Sequence, residues 1–305
     1  MDQLQGIICQ MPDLKKVGVR IHIISPSGVI DSLWICRATE VLASRGFRVT
    51  AGDFSKASYG RFAGTTQQRL YDLQQALDNR DIDVILCSRG GYGLSQIIDK
   101  ADFTIFCQHP KWIAGFSDIT VLLNAVARMG IPGMHAMMTR GLSTAPANST
   151  DIAMFFRLLS GEVPDYRFDA HPQNRTGEAE AIVAGGNLSV LMALRGTPFD
   201  LDLKNKILFI EEIGEQWYYI DRMLQNWRMS GVLAHISGLI VGQFTNCPDD
   251  PTMMCSIEEM ILNVCEGYSF PVCFHFPAGH DTPNFPLLFG CKAKLEVGEY
   301  VRLKY

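Results

Sequence analysis

Apolar residues along the chain follow two alternating patterns, short continuous runs and longer stretches in which they recur at helical spacing. In the first half, the runs predict strands at 17–24, 47–51, 83–87 and 112–114. The helices predicted between and after them are 31–44, 65–77, a short one ending at 98, 119–129 and 151–160. Thr65 and Gln68 have the residue types and the spacing of a capping box. Such alternation is typical of a parallel, doubly wound sheet.

The second half of the chain predicts a unit with more β-structure. Its strands are predicted at 206–210, 238–243, 272–276, 292–297 and 300–304, and its helices at 188–194, 220–229 and 257–266. The stretch 161–180 between the halves is polar and lacks a sustained period, so it is predicted to be a linker. The expected organisation is an N-terminal α/β domain over 1–160 and a β-rich C-terminal domain over 181–305.

The junction between the strand 112–114 and the helix 119–129 places Ser117 and Asp118 at a sharp turn. A serine there projects its hydroxyl above the sheet edge, and the next backbone amide lies at the positive end of the helix. That arrangement suits an acyl-transfer nucleophile. The alternative is an ordinary helix cap, which the stretch alone favours because Ser and Asp are common caps. Ile119 also replaces the second glycine of the Gly-x-Ser-x-Gly elbow.

A glycine-rich turn, Arg89–Gly93, follows the strand 83–87 at the same expected sheet edge. It partly matches the dinucleotide fingerprint, but Gln96 occupies the third glycine position and the chain has no Walker motif. Nucleotide binding is therefore not favoured. Backbone amides exposed by such a turn are suited instead to stabilising an oxyanion near Ser117.

Two further groups have the chemistry that a serine nucleophile requires. Glu211 ends an apolar strand, where a charge is costly without a partner, although strand-end acids are often simply solvated. His280 lies in a loop just past a predicted strand, where its ring can reach a cleft and a carboxylate can fix its tautomer. Glu212 and Glu215 are better suited to exposed or structural roles, and His135 is a candidate for the wall of the cleft.

Composition narrows the function classes further. The 305 residues are 47% hydrophobic and carry a formal charge of −5, which indicates a globular protein and gives no reason to expect nucleic acid. The apolar run 6–9 is too short for a signal peptide, and no run is long enough to cross a bilayer. The nine scattered cysteines favour free thiols, and none of the later ones has the spacing of a zinc site. We therefore expect a cytoplasmic protein that binds neither membrane nor metal.

Eight short motifs occur in an order that is specific even though each motif is common. They are Ser25–Gly28, Arg61–Thr65, Arg89–Gly93, Gly115–Asp118, Gly185–Leu188, Glu211–Glu212, Asp221–Leu224 and Gly279–His280. In this combination the chain closely resembles the LD-carboxypeptidases, the murein tetrapeptide carboxypeptidases of serine peptidase family S66, over almost its whole length. The resemblance implies an α/β fold with a Rossmann-like, parallel-sheet N-terminal domain and a smaller β-rich α/β C-terminal domain.

The resemblance also implies a catalytic triad, with Ser117 as nucleophile, His280 as general base and acid, and Glu211 as the group that orients His280. The oxyanion hole would consist of the backbone amides of Gly91 and Asp118. Family members commonly form homodimers and need neither a metal nor another cofactor.

The chain departs from the family pattern at three places. Ser25 replaces an alanine common before Pro-Ser-Gly, His135–Met137 stands where His-Gly-Pro-Met is frequent, and Phe285–Gly290 differs from the usual Leu-Pro-Ile-Gly. These changes concern the cleft wall and the substrate contacts rather than the triad. The residues offered as substrate contacts are Arg89, Tyr92 and Arg222.

The function implied is a serine carboxypeptidase that removes the terminal D-alanine from murein tetrapeptides, cutting an L,D bond during peptidoglycan recycling. Its partner would be the muropeptide substrate. One alternative within the family is a microcin-immunity-type amidase acting on peptidyl or aminoacyl nucleotide analogues. An alternative of another class is a muropeptide-binding protein without catalytic activity.

Overall fold

The structure is a computed structural model that describes residues 11–305, so the short apolar run 6–9 lies outside the described residues. The chain divides into two compact units. The first contains the described residues up to Glu162 together with 285–287, and the second contains Val163–Asn284 and Leu288–Tyr305. Both units combine helices with a sheet, and the predicted α/β fold class is confirmed.

The first unit is built on parallel strands that are adjacent in the order β5-β4-β3-β1-β2. Their bounds are β1 Arg20–Ile24, β2 Arg48–Ala51, β3 Val84–Cys87, β4 Trp112–Gly115 and β5 Gly133–His135. The helices are α1 Ser32–Ser44, α2 Thr66–Asp78, α3 Thr104–Gln108, α4 Thr120–Arg128, α5 Thr139–Thr144 and α6 Thr150–Leu159. All four residues of β3 are buried, as expected for a parallel strand covered on both faces.

Local sequence signals account for several of these helix starts, since Asp31, Thr65 and Ser149 cap the helices that follow them. The predicted capping box is confirmed, because Gln68 N donates to Thr65 Oγ1 and Thr65 N donates to Gln68 Oε1. The prediction of a helix ending at residue 98 is wrong. Two 3₁₀ turns, Leu94–Gln96 and Ile98–Lys100, occupy this stretch, and neither has a side-chain cap. The first amide, Leu94 N, donates to the Asp118 carboxylate at 3.0 Å, which ties this turn to another segment.

The second unit contains a mixed seven-stranded sheet in the order β10-β9-β8-β7-β12-β13-β6. The strand bounds of this sheet are β6 Asp165–Asp169, β7 Gly177–Asn187, β8 Lys206–Ile213, β9 Gly238–Thr245, β10 Val272–Cys273, β12 Lys292–Val297 and β13 Tyr300–Lys304. A further short strand, β11 Leu287–Phe289, is not part of this sheet. The helices are α7 Leu188–Ala193, α8 Trp217–Met229 and α9 Ile257–Val264. Strands β7 to β10 are parallel, whereas β12, β13 and β6 pair antiparallel.

Two stretches of the second unit differ from the sequence expectation. The segment 161–180, predicted as a linker, contains β6 and the start of β7. Strand β6 lies at the sheet edge, and Tyr166 is its buried residue, so its polar composition reflects an exposed face. The strand predicted at 272–276 ends at Cys273 because His275 adopts a left-handed backbone conformation, with φ of 55°.

A partly exposed ion pair in this unit makes stability depend on pH. His275 Nε2 lies 2.9 Å from Glu258 Oε1, and this hydrogen bond lowers the Glu258 pKa to about 2 and raises the His275 pKa above 6.5. The Glu258 contribution is present above 4.5, its ordinary pKa, and is lost towards pH 2. The His275 contribution is present below pH 6.5 and is lost as the pH rises through its raised pKa.

We therefore expect Glu258→Gln to lower the melting temperature most between pH 4.5 and 6.5. The loss should become smaller as the pH rises through the raised pKa of His275, because a neutral imidazole no longer pairs with the carboxylate. Thermal unfolding of both proteins across pH 4 to 9, followed by circular dichroism, measures this difference. A melting-temperature difference that is constant over the whole range would contradict the pairing.

Candidate active site

Ser117 follows β4 in a backbone conformation that is rare for a residue with a side chain. Its φ is +64°, in the left-handed region that costs a non-glycine residue about 1–2 kcal/mol. It opens a 3₁₀ turn, Ser117–Ile119, that leads into α4. Neither helix start has a side-chain cap, so the interpretation of Ser117 and Asp118 as helix caps is wrong. Strain of this kind is typical of functional positions.

The Asp118 carboxylate connects the serine turn to two other turns instead of capping a helix. Only 4% of Asp118 is exposed, and its Oδ2 accepts hydrogen bonds from Ser27 Oγ at 2.6 Å and from Leu94 N at 3.0 Å. Ser27 belongs to the first motif turn, and Leu94 directly follows the glycine-rich turn. A buried carboxylate held by two donors fixes the three segments relative to one another.

Arg69, on α2, provides a second connection between the same turns, and no sequence motif indicated this role. It is 1% exposed, and its Nη1 donates to the carbonyls of Pro26 and Gly93 at 3.0 and 2.7 Å. Its Nη2 donates to Gln96 Oε1 at 2.6 Å. Burial lowers the pKa of Arg69, and the Asp118 charge opposes that effect. The available signal was an arginine at helical spacing from the buried residues Leu73, Ala76 and Leu77.

The glycine-rich turn packs directly against the serine. A Cβ placed on Gly90 would lie 2.6 Å from Ser117 Cβ, 2.8 Å from its Oγ and 3.2 Å from Asp118 N. The carbonyl of Gly90 accepts from Gly28 N at 2.9 Å, and Gly91 has a φ of +99°. The segment that carries the Gly91 amide therefore runs alongside the Ser117 hydroxyl and the Asp118 amide.

Gly90→Ala is expected to lower activity by about a hundredfold or more, because the new methyl group displaces the serine from its present position. Gly298→Ala is the matched control, since a Cβ there meets nothing within 4 Å and neither glycine has a positive φ. Steady-state kinetics of the two variants test this. A Gly90→Ala enzyme as active as Gly298→Ala would contradict the close packing.

Glu211 and His280 are directly hydrogen-bonded in the second unit. His280 Nδ1 lies 2.6 Å from Glu211 Oε2, and their side chains are 13% and 0% exposed. Glu211 lies near the carboxyl end of β8, and its Oε1 has no hydrogen-bond partner among residues 11–305. The imidazole therefore bonds a buried carboxylate through Nδ1. Its second ring nitrogen, Nε2, takes no part in this hydrogen bond.

Glu212, the next residue, has a structural role, one of the two roles expected from the sequence. Its carboxylate is 1% exposed and accepts from Asn187 Nδ2 at 3.0 Å, Ser189 N at 2.7 Å and Ile213 N at 2.8 Å. Burial raises its pKa. Glu212 thus anchors the turn between β7 and α7, where Asn187 also caps the helix through Val190 N.

The candidate substrate contacts are distributed over both units. In the first, Arg89 Nη1 donates to Val29 O at 2.6 Å, and Tyr92 is 46% exposed with its ring 5.9 Å from that of Phe62. In the second, the exposed Arg222 on α8 has its guanidinium 5.1 Å from the centre of the Tyr219 ring.

The remaining features considered are His135, a metal site and a membrane-spanning helix. His135 is fully buried at the end of β5, with its ring 5.7 Å from that of Phe116. Within residues 11–305, no group of three or more His, Cys, Asp or Glu side chains has an arrangement that could hold a metal ion. None of the helices in the described part of the chain combines the length and the apolar character needed to cross a membrane.

Comparison with known proteins identifies relatives of both units. A model described as the LD-carboxypeptidase N-terminal domain matches residues 21–136, and one described as the C-terminal domain matches 180–295. A probable murein peptide carboxypeptidase of Bacillus subtilis is 31% identical over 293 residues, covering 94% of this chain and 92% of the relative. The murein tetrapeptide carboxypeptidase of Pseudomonas aeruginosa is 31% identical over 290 residues, covering 91% and 93%.

Solved structures with the same fold include a carboxypeptidase and the protein MccF. A muramoyltetrapeptide carboxypeptidase from Oxalobacter formigenes superposes with a TM-score of 0.86 at 26% identity, covering 93% of this chain and 98% of the other. The protein MccF, in complex with glutamyl sulfamoyl guanosine, has a TM-score of 0.83 at 21% identity, covering 95% and 97%. At that identity the second likeness indicates a shared fold alone.

Proposed function

Because this chain belongs to the LD-carboxypeptidase family, serine peptidase family S66, we propose that it releases the terminal D-alanine of murein tetrapeptides by hydrolysing an L,D amide bond. The observation that carries the proposal is the hydrogen bond of 2.6 Å between His280 and the buried Glu211. The strained backbone of Ser117 supports it from the other unit. The names of the relatives from Pseudomonas aeruginosa and Oxalobacter formigenes support the choice of substrate.

In the proposed reaction, His280 Nε2 takes the proton of Ser117 Oγ as that oxygen attacks the amide carbonyl carbon. The negative charge that develops on the carbonyl oxygen is stabilised by the amides of Gly91 and Asp118. When the C–N bond breaks, His280 returns the proton to the leaving amine of D-alanine. A water molecule, deprotonated by His280, then cleaves the acyl-enzyme and releases the shortened peptide.

Glu211 has two functions in this scheme. Its hydrogen bond keeps the proton of neutral His280 on Nδ1, so that Nε2 can act as the base. Its negative charge also stabilises the imidazolium that forms when Ser117 is deprotonated. The scheme requires Ser117 Oγ and His280 Nε2 to come within about 2.6–3.2 Å of each other during the reaction.

The test is to incubate the purified protein with murein tetrapeptide and follow D-alanine release by liquid chromatography and mass spectrometry. We expect one D-alanine per tetrapeptide and no further trimming. A parallel incubation uses glutamyl sulfamoyl guanosine, the compound bound in the MccF structure. Cleavage of that compound without cleavage of the tetrapeptide would replace our proposal with an immunity-type amidase. Tight tetrapeptide binding without turnover would indicate a binding protein.

We also propose that the enzyme acts in the cytoplasm as a homodimer. The eight cysteines within the described residues are free thiols, including the exposed Cys36 and Cys107, as expected for a reducing compartment. Light scattering should give twice the chain mass of 34.0 kDa. Cell fractionation should recover the protein with cytoplasmic enzymes. A monomer mass at micromolar concentration would exclude a stable dimer.

A further inference from the structure

Gln243 lies on β9 at the level of Glu211 on the neighbouring strand. The register between β8 and β9 shifts there, so that Glu211 lies opposite both Gly242 and Gln243. An extra residue of this kind bends a strand and redirects a side chain. The Gln243 side chain reaches the loop that contains His280.

Gln243 makes three hydrogen bonds that hold that loop on both sides of the histidine. Its Oε1 accepts from Asp281 N at 2.7 Å, and its Nε2 donates to Pro283 O at 2.8 Å. Its own backbone N donates to Ala278 O at 3.0 Å. Gln243 therefore holds the loop backbone at Ala278, two residues before His280, and at Asp281 and Pro283, one and three residues after it.

Close packing limits the loop further. A Cβ on Gly242 would lie 2.4 Å from Ala278 O, and a Cβ on Gly279 would lie 2.9 Å from Gln243 Cβ. Asn284, which is 8% exposed, accepts from Gly279 N at 3.2 Å. The loop backbone thus rests directly on β9, and the Gln243 amide ties the part of the loop beyond His280 to that strand.

We infer that Gln243 is a positioning residue that holds His280 in register with Glu211. This inference rests on the proposed function, in which the imidazole must stay aligned with both the carboxylate and the serine. Catalytic groups need to be held to within about 0.5 Å by the residues that support them. A glutamine that fixes the backbone on both sides of His280 meets that need without contacting the substrate.

The test substitutes Gln243→Met, which keeps the side-chain length and removes both amide hydrogen bonds. We expect kcat to fall by about 10–100-fold with a KM change below about threefold. The matched control is Gln74→Met on α2. Gln74 holds Asp102 in the same manner, accepting from its N at 2.8 Å and donating to its O at 2.9 Å. The control should keep the wild-type kcat.

A second readout does not depend on turnover. The His280 Nδ1 proton, bonded to Glu211 at 2.6 Å, should give a low-field proton NMR signal that is absent in His280→Ala. We expect this signal to shift or broaden in Gln243→Met and to remain in Gln74→Met. Circular dichroism establishes that each variant is folded. If Gln243→Met does not fold, Gln243→Glu keeps an acceptor for Asp281 N and should show the same changes in smaller degree.

A wild-type kcat or an unchanged NMR signal in the folded variant would overturn the role of Gln243. If the wild-type protein does not hydrolyse the tetrapeptide, the proposed function fails. The NMR signal alone then decides whether Gln243 holds His280 against Glu211.

Discussion

Ser117→Ala is expected to lower the rate of D-alanine release by about 10⁶-fold, the size of effect known for loss of a triad nucleophile. Alanine has no hydroxyl, so no acyl-enzyme forms. The substitution should leave the fold intact, because alanine tolerates a φ of +64° about as well as serine does and keeps the Cβ that packs against Gly90. The variant should still bind the tetrapeptide.

The measurement is single-turnover D-alanine release by wild type and variant, together with tetrapeptide binding by calorimetry. Ser44→Ala is the control, since its hydroxyl donates only to a carbonyl of its own helix, Val41 O at 2.8 Å, and is exposed. It should retain the wild-type rate. If Ser117→Ala released D-alanine at even a tenth of the wild-type rate, the nucleophile would have to be another residue.

Glu211→Gln is expected to lower kcat by about 10⁴-fold, as the loss of charge at the corresponding position of a serine protease triad does. A glutamine cannot stabilise the imidazolium that forms on His280, and its NH₂ group favours the wrong tautomer. Stability should change little or improve, because the substitution removes a fully buried charge. A lower kcat without a lower melting temperature would therefore show that Glu211 acts in catalysis and not only in folding.

Glu258→Gln offers a matched comparison within the same unit. Glu258 also bonds a histidine, His275, at 2.9 Å, but the side chains of this pair are 23% and 61% exposed. We expect it to keep the wild-type kcat while losing some stability near pH 5.5. The measurements are kcat and melting temperature for both variants. Equal kcat values in the two variants would remove Glu211 from the mechanism.

Much of the fold followed from local pattern. The strands predicted at 292–297 and 300–304 match β12 and β13 at both ends, because alternating burial is visible in the residues themselves. The helix starting at Thr66 was predicted from its capping box. Errors occurred where distant contacts decide the structure. Strand β6 has too little apolar character to be recognised without its partner β13.

In the candidate site, too, local patterns indicated some residues and distant contacts decided the others. Sequence motifs were enough to single out Ser117, Glu211 and His280, because each ends or follows a predicted element. They did not indicate the residues that hold these groups in place. Arg69 and Gln243 carry no recognisable motif, and their roles come from backbone carbonyls and amides that lie far away in sequence.

The sequence by itself determined the α/β class, the family and the three residue types of the proposed triad, since periodicity and motif order are properties of the chain. Only the tertiary structure shows the contacts that give the two adjacent glutamates different roles: Glu211 bonds His280 and Glu212 bonds Asn187 and Ser189, because neighbouring strand residues point to opposite faces. It also decided that Asp118 links three turns rather than capping a helix. Both outcomes depend on contacts between segments dozens of residues apart, and no local pattern encodes such contacts.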